Sequence, residues 1–283
     1  MKSVFVQSAV NPSYSCRGSL CGNIVTISIF ALSLILANCA PFTAWSQDVH
    51  HAPTNPCHRS QYRLILDVGH SAEAPGAMSA RNVPEYEFNL RLAEQVERRL
   101  IKEGFTRTVL LNTHGVGRPT LFKRVDAANS LSANLLLSIH HDSVPDSFLE
   151  DWEFQGKPSH FNDRFGGYSL FISHDNPSFE ASLLFAKLLS EQLKARGLQY
   201  ARQYTEAFMG RYQRQPADAD RGVYWYDQLV VLKEARMPAA LLEAGSIINR
   251  NEELQMNSPE RRDLVSTSIA AAVESFCEAR SGQ

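Results

Sequence analysis

The chain has 283 residues, of which 44% are hydrophobic and 20% are charged, so it can bury a substantial core. Its 28 Lys and Arg residues nearly balance its 30 Asp and Glu residues, giving a formal net charge of -2. A protein that binds nucleic acid through phosphate contacts needs a basic surplus, so this balance argues against a dedicated nucleic-acid binder. No apolar run reaches the roughly 20 residues that a membrane-spanning helix needs.

The first 46 residues are predicted to be a signal peptide. Residues 24–37 are uncharged and predominantly apolar, and basic residues precede them. Ala44 and Ser46 are small residues at the positions that a signal peptidase reads, so cleavage is predicted after Ser46. The mature chain would then be periplasmic or secreted, without a transmembrane span. Two alternatives stay open, a lipoprotein attached through Cys39 and an uncleaved apolar anchor.

Two cysteines, Cys57 and Cys277, remain in the predicted mature chain. An oxidising compartment allows them to pair, and the alternative is two unpaired thiols. Their wide separation makes a cysteine-based zinc site a poor interpretation. Residues 47–61 are polar, contain two prolines and are predicted to link the leader to the folded domain.

From residue 62 onward, short apolar runs alternate with amphipathic segments. The apolar runs predict strands at residues 62–67, 108–111, 134–139, 168–173, 229–232 and 239–242. The amphipathic segments predict helices at residues 85–103, 121–131, 180–196 and from residue 258 onward. Residues 144–167 are polar and aromatic and are predicted to be a long excursion between two strands.

This alternation predicts a single α/β domain over residues 62–283. The strands are apolar almost throughout, which is typical of a sheet whose two faces are both covered by helices. We therefore expect a mostly parallel or mixed twisted sheet of about six strands. In such sheets the functional residues lie just beyond the carboxyl ends of the strands.

Four polar residues are expected at that edge of the sheet. His70 follows the first strand, His140 ends the third, and Glu243 follows the last. Glu85 begins the first helix, 15 residues after His70, and a short loop could fold it back to the same rim. Two imidazoles and a carboxylate form a catalytic zinc set that leaves the fourth position for water. Glu243 would then be the unbound carboxylate that takes a proton from the water and passes it to the leaving nitrogen.

Each of these residues also has a plainer interpretation. A single His at a strand end is more often a hydrogen-bonded rim residue, and Glu85 alone suits the N-terminus of a helix dipole. Glu243 alone could be a structural ion-pair partner, and no HExxH motif is present. Strand alternation places His141 opposite His140, so His141 is predicted to be buried or to support the ligands, with the alternative that it is the ligand itself. No GxSxG or phosphate-loop motif indicates another chemistry.

Four sequence blocks occur in the order and spacing of a known enzyme family. They are LDVGH ending at His70, EYEFNL beginning at Glu85, SIH ending at His140, and EAGSIIN beginning at Glu243. With these blocks the chain resembles the catalytic domain of zinc-dependent N-acetylmuramoyl-L-alanine amidases, type 3, which are bacterial cell-wall hydrolases. The resemblance covers about residues 62–277. Four residues depart from the family pattern without removing a proposed ligand: Val68, Ser71, Ser246 and Ile248.

The resemblance implies roles for individual residues. It implies that His70, Glu85 and His140 bind zinc and that Glu243 is the catalytic carboxylate, with Glu87 as the rival to Glu85. It also implies the reaction, hydrolysis of the amide between the lactyl group of N-acetylmuramic acid and L-alanine in peptidoglycan. Two alternatives stay open. One is a catalytically weak peptidoglycan-binding or regulatory protein, and the other is a zinc amidohydrolase or peptidase that acts on another bond.

The resemblance also suggests a role for the excursion. Related amidases of Gram-negative bacteria can hold an inhibitory helix over the zinc until a partner protein relieves it. One hypothesis is therefore that residues 144–167 cover the cleft as a regulatory lid in which Glu150 or Glu153 could ligate the metal, and the alternative is an ordinary substrate-binding loop. The irregular segment after residue 200 is interpreted as solvated surface, with contact to peptide carboxylates as the alternative. Its arginines are Arg202, Arg211, Arg214 and Arg221.

Overall fold

The computed structural model describes residues 57–281. The predicted leader, its cleavage site and most of the predicted linker therefore lie outside the described residues. Across residues 57–281, every helix is too short or too polar to cross a bilayer.

A seven-stranded mixed sheet forms the centre of the domain, and two further strands form a separate hairpin. Within residues 57–281 the strands are β1 (Leu64–Val68), β2 (Val109–Leu111), β3 (Leu135–Asp142), β4 (Glu150–Phe154), β5 (Lys157–Phe161), β6 (Ser169–Ile172), β7 (Pro216–Asp218), β8 (Val223–Trp225) and β9 (Ala239–Ser246). The order in the sheet is β2-β1-β3-β9-β6-β8-β7. Strands β2, β1, β3 and β9 are parallel, whereas β6 is antiparallel to β9 and β7 is antiparallel to β8.

Helices cover both faces of this sheet. They are α1 (Glu85–Lys102), α2 (Arg118–Ser130), α3 (Phe179–Ala195), α4 (Val230–Lys233), α5 (Arg250–Met256) and α6 (Pro259–Arg280). Leu64 and Leu66 of β1 pack into a core that includes Phe185 of α3, whereas Ile65 packs into a second core with Leu232 of α4. Alternation along the strand thus sends neighbouring residues to opposite faces. The predicted α/β class, mixed sheet and two helical layers are confirmed.

The prediction was wrong at residues 229–232. This apolar run is not a strand, because Val230–Lys233 forms α4, in which the amide of Lys233 donates to the carbonyl oxygen of Leu229 (2.9 Å). A four-residue apolar run fits a buried strand and a buried helical turn equally well, so periodicity could not separate them. Two strands that were not predicted, β8 beside β6 and β7 beside β8, complete the sheet instead, which makes seven strands rather than about six.

The amino ends of the parallel strands are closed by a disulfide. Cys57 pairs with Cys277 in the last turn of α6, with a Cα–Cα distance of 5.3 Å. The segments that precede β1, β3 and β9 surround Cys277 in a shallow cavity. Arg59 forms an ion pair with Glu274 beside the disulfide. The pairing that the sequence left open is therefore present at the amino-end edge.

Candidate active site

The carboxyl ends of β1 and β3 bring two histidines together. The strands are parallel neighbours in which Val68 pairs with Ile139, so His70 and His140 leave the sheet at the same edge. The amide of Gly69 extends the ladder by donating to the carbonyl oxygen of Ile139 (3.0 Å). Their imidazole rings are 5.0 Å apart between centroids.

Glu85, the first residue of α1, lies between the two imidazoles. Its Oε2 is 3.0 Å from His70 Nε2, and its Oε1 is 3.0 Å from His140 Nδ1. One ligand atom from each of the three residues can be chosen so that all lie within 4.8 Å of one another. The Glu85 side chain is 7% exposed, whereas His70 and His140 are 33% and 18% exposed. The cluster is therefore anchored on its protein side and open on the side of the cleft.

Two glycines make this close approach possible. A Cβ atom on Gly69 would lie 2.5 Å from the His140 ring, and one on Gly76 would lie 2.5 Å from Glu85 Oε2 and 2.8 Å from His70 Cδ2. Real Cβ atoms do not approach other atoms so closely, so any side chain here would push the ligands apart. Gly76 also has a φ of +79°, which glycine adopts without strain.

A buried ion pair fixes the end of β1. Arg124 of α2 donates to Asp67 Oδ1 (3.0 Å) and also to the carbonyl oxygens of Val68 and His70. Ser138 Oγ donates to Asp67 Oδ2 (2.7 Å). The two charged side chains are at most 3% exposed, so removing one partner would leave a buried charge uncompensated, at a cost of about 3–5 kcal/mol. This pair holds His70 in its left-handed backbone conformation, at a φ of 65°.

Asn89 connects the glutamate to the sheet and to the second histidine of the β3 pair. Its amide donates to Glu85 Oε1 and to the carbonyl oxygen of Gly69, each at 3.1 Å. Its Oδ1 is 2.8 Å from His141 Nδ1. His141 is buried and lies outside the ligand cluster, as the alternation of β3 predicted. Burial lowers the pKa of His141 to about 3, so this imidazole is neutral.

The charge state of Glu85 follows from these contacts. Burial by itself would raise its pKa, but hydrogen bonds from His140 and His70 and their positive charges lower it well below the ordinary value. Glu85 is therefore an anion in this environment. An ionised carboxylate is the form that ligates a metal ion.

Glu243 lies on the strand next to His140. It pairs with His140 in the β3–β9 register, which places it on the same edge but outside the ligand cluster. Its Oε2 is buried without a hydrogen-bond partner among the residues described. Burial, together with the nearby carboxylates of Asp142 and Glu85, raises the pKa of Glu243 well above its ordinary value. A carboxyl group with an unused oxygen at a cleft is suited to accept and donate protons.

Asp142 and Tyr204 were not singled out in the sequence, yet they are the polar neighbours of Glu243. Tyr204 Oη donates to Asp142 Oδ2 (2.6 Å), and the Ser143 amide donates to Asp142 Oδ1 (2.8 Å). Burial raises the pKa of Asp142 to about 7, against these hydrogen bonds. Asp142 could have been suspected as the last residue of β3, whereas Tyr204 reaches the site from an irregular segment that carries no recognisable motif.

The cluster lies between two cavities. A cleft of about 810 Å³ is lined by the cluster and by Glu243, Tyr204, Arg211 and Arg214. A second cavity of about 520 Å³ shares His70 and His140 and extends toward Ser71 and Arg118. An extended substrate can therefore run across the cluster in both directions.

The excursion after β3, residues 144–167, does not place a carboxylate over the metal cluster. Only its first residues, Val144 to Ser147, line the cleft. Strands β4 and β5 form an antiparallel hairpin in which Trp152 Nε1 and Ser159 Oγ donate to the carbonyl oxygen of Ala80 (2.8 and 2.9 Å). Glu150 and Glu153 are exposed and lie outside both the ligand cluster and the cleft lining. The prediction that one of them ligates the metal is wrong for this structure, because the aromatic face of the hairpin docks on the body of the domain.

The other residues that the sequence analysis named lie outside the ligand cluster, either on the surface or in buried packing positions. Glu87, the rival to Glu85, is on the surface and forms an i,i+4 ion pair with Arg91 (3.1 Å). Ser71 is buried; its hydroxyl donates to the carbonyl oxygen of Gly115 (2.8 Å) and accepts from the amide of Ala74 (3.1 Å). Val68, Ser246 and Ile248 are also buried, so the departures from the family pattern lie in packing beneath the cluster.

Residues 64–275 match the family of N-acetylmuramoyl-L-alanine amidases designated Amidase_3. The chain belongs to this family. Peptidoglycan amidase activity, and with it the class of hydrolases, follows from that membership. The amidase Rv3717 of Mycobacterium tuberculosis is 26% identical over 208 residues, which cover 73% of this chain and 74% of that protein.

Solved structures share the fold of this amidase. Ami1 of Mycobacterium smegmatis, an N-acetylmuramyl-L-alanine amidase, superimposes with a TM-score of 0.59 at 21% identity, covering 78% of this chain and 98% of that one. The CwlD amidase of Clostridioides difficile, solved in complex with the GerS lipoprotein, gives a TM-score of 0.52 at 18% identity and covers 76% and 98% of the two chains. At these identities the comparison establishes the architecture.

Proposed function

We propose that this amidase is a zinc enzyme that hydrolyses the amide between N-acetylmuramic acid and L-alanine of the stem peptide. The observation that carries the proposal is the cluster of His70, Glu85 and His140, whose ligand atoms lie within 4.8 Å of one another. Two imidazole nitrogens and one carboxylate oxygen are the donors of catalytic zinc sites, which keep one position open. The exposure of both imidazoles to the cleft fits such an open site. Gly69 and Gly76 leave room for these ligands to converge.

The chemistry divides between the ion and Glu243. When bound, zinc supplies Lewis acidity, which lowers the pKa of water and polarises an amide carbonyl. Glu243 takes a proton from the attacking water and gives it to the departing nitrogen, so the C–N bond breaks as a C–O bond forms. The products are the free lactyl carboxylic acid and the free amino group of L-alanine. The unpaired Oε2 of Glu243, beside His140 on the neighbouring strand, supports this role.

Product analysis separates this proposal from hydrolysis of another bond. We expect mass spectrometry of digested peptidoglycan to find peptides with a free L-alanine amino terminus and glycan strands with unsubstituted lactyl groups. Metal analysis of the purified chain should find close to one equivalent of zinc. A chain that carries zinc and binds peptidoglycan without releasing peptide would be the catalytically weak binding protein instead.

The location of the enzyme is a second part of the proposal. We propose that residues 1–46 are removed after Ser46 and that the catalytic domain, residues 62–283, acts in the periplasm or outside the cell. The Cys57–Cys277 disulfide supports this location, because such bonds persist in oxidising compartments. Determination of the amino-terminal residue of the exported protein tests it. A terminus at residue 47 supports cleavage, whereas a lipid-modified Cys39 would identify a lipoprotein.

A protein activator is the second partner proposed for the chain, besides peptidoglycan. The CwlD amidase, which shares this fold, is found in complex with the GerS lipoprotein. Strands β4 and β5 do not line the cleft of this chain, so an activator would act here without removing a carboxylate from the cluster. The isolated chain should then show basal activity. Full activity that no envelope protein increases would argue against an activator.

A further inference from the structure

The four arginines of residues 200–222 have different surroundings. Arg221 forms ion pairs with Glu191 (2.8 Å) and Asp218 (3.1 Å), and Arg202 lies on the outer surface against Tyr200. Arg211 and Arg214, by contrast, line the same cleft as the metal cluster. The interpretation as solvated surface therefore fits Arg202 and Arg221, but it does not fit Arg211 and Arg214.

Arg214 is held in place from several sides. Its guanidinium lies over the ring of Tyr226, at 3.9 Å from the centroid, and its Nη1 donates to the carbonyl oxygens of Arg211 (3.1 Å) and Gln213 (3.0 Å). Its backbone amide donates to the carbonyl oxygen of Tyr204 (2.7 Å), the residue whose hydroxyl reaches Asp142 beside Glu243. A short chain of contacts thus fixes Arg214 relative to the catalytic edge.

The charge of Arg214 has no counterion in the part of the chain that the structure describes. Neither Arg214 nor Arg211 forms an ion pair with any carboxylate among residues 57–281, and Arg214 Nε is buried without a hydrogen-bond partner. Asp227, which lines an adjoining cavity together with Arg211 and Arg214, is engaged by the amide and imidazole of His174 (2.7 and 3.1 Å). Holding a partly buried guanidinium without a carboxylate is unfavourable unless a ligand supplies the negative charge.

We propose that Arg214, assisted by the more exposed Arg211, forms a subsite that binds a carboxylate of the stem peptide. The inference rests on the proposed function, because it assigns one direction of the cleft to the peptide side of the scissile amide. Arg211 and Arg214 line the same cleft as Glu243 and the metal cluster, so they offer a charge-assisted partner to an anionic substrate group bound beside the catalytic edge. Substrates with free peptide carboxylates are therefore preferred over amidated ones.

The test compares two muramoyl tripeptides that differ only in having free or amidated peptide carboxylates. Loss of one charge-assisted contact costs roughly a tenfold change in affinity or more. We expect Arg214→Gln to raise KM about tenfold for the free acid, with kcat retained, and to leave KM for the amidated substrate unchanged. Arg202→Gln, a matched variant of the same segment outside the cleft, should change neither. Arg214→Lys should recover part of the affinity through its charge alone.

Binding measurements keep this inference separate from the proposed reaction. Calorimetric titration of the free tripeptide, which carries no scissile muramoyl amide, should show the same dependence on Arg214 in chains whose melting temperature matches the wild type. Arg214-dependent binding without hydrolysis would uphold the subsite and remove the proposed reaction. Normal hydrolysis in which Arg214→Gln affects both substrates equally, or neither, would overturn the subsite.

Discussion

The two ends of the parallel strands β1, β3 and β9 are built from opposite kinds of interaction. At the carboxyl ends, Glu85 lies buried between two imidazoles and Glu243 keeps a buried oxygen without a partner. At the amino ends, a disulfide and the Arg59–Glu274 ion pair join the start of the domain to α6. The carboxyl-end edge contains buried polar groups that are unfavourable for stability, and the amino-end edge contains a covalent crosslink.

This difference indicates how the molecule separates activity from stability. Ionisable groups held close together without full compensation destabilise a fold, although they are what catalysis needs. A covalent crosslink at the far edge offsets that cost without entering the cleft. Substitutions at the carboxyl-end edge should therefore change metal binding and activity, whereas substitutions at the amino-end edge should change the free energy of unfolding.

The largest effect is expected from breaking the cluster. His70→Ala removes one of three ligands, so the purified variant should lose its zinc and its amidase activity, while wild type retains both. Glu243→Gln should keep the zinc and lose activity by about 10²–10⁴-fold, because proton transfer alone is removed. Metal analysis and peptide release from peptidoglycan measure both outcomes. Loss of metal from Glu243→Gln would mean that Glu243 is a ligand.

The opposite edge is tested by removing the disulfide. The double variant Cys57→Ala, Cys277→Ala should lower the free energy of unfolding by about 2–5 kcal/mol, because a loop of 220 residues is released in the unfolded chain. Its kcat, measured well below the melting temperature, should match that of wild type. Denaturant unfolding and initial rates check the two expectations. A parallel loss of kcat would show that the edges are coupled.

Asn89 offers a sharper probe within the catalytic edge. Asn89→Ala removes the amide that donates to Glu85 and the oxygen that contacts His141. Loss of such a supporting contact typically weakens metal affinity by about 10–100-fold. Competition with a zinc chelator measures this change. Unaltered affinity would mean that α1 and β3 position Glu85 without the help of Asn89.

The smallest effect is expected where the hairpin joins the body, outside both edges. Hydrogen bonds from Arg250 lower the pKa of Asp163 below its ordinary value of 3.8. The pair therefore contributes stability above about pH 4, and this contribution is lost as the pH falls through the lower folded-state pKa. Because the pair is partly exposed, Asp163→Asn should cost less than about 1 kcal/mol at pH 7. The difference from wild type, followed by thermal unfolding, should shrink as the pH is lowered below 3.8; a constant difference would exclude an ionic origin.

Sequence alone was sufficient for the parts of the fold that have strong periodicity. Helix α1 was placed within one residue of its observed end, and the strand ends carrying His70 and His140 were correctly adjacent. The predictions of short elements failed because length and hydrophobicity do not distinguish a short strand from a short helix. The run at residues 229–232 became α4 rather than a strand, and α5 and the β4–β5 hairpin were not predicted.

The site shows a similar limit. The order of the motifs identified the residues that the structure brings into one cluster. The contacts that hold these residues in place could not be predicted from the sequence. The need for glycine at position 76 depends on a Glu85 oxygen that arrives from α1, and the contact of Tyr204 with Asp142 spans 62 positions. Such relations follow from tertiary packing. They become predictable only once the topology is known.

The disulfide also makes the two ends of the described domain neighbours, with Cα atoms of Cys57 and Cys277 only 5.3 Å apart. A polypeptide whose ends meet can be joined by a short linker and reopened at an exposed turn with its internal neighbours preserved. The tip of the hairpin at Gln155 and Gly156 is exposed and does not line the cleft. A circular permutant opened there would carry new termini while the metal-binding rim stayed continuous.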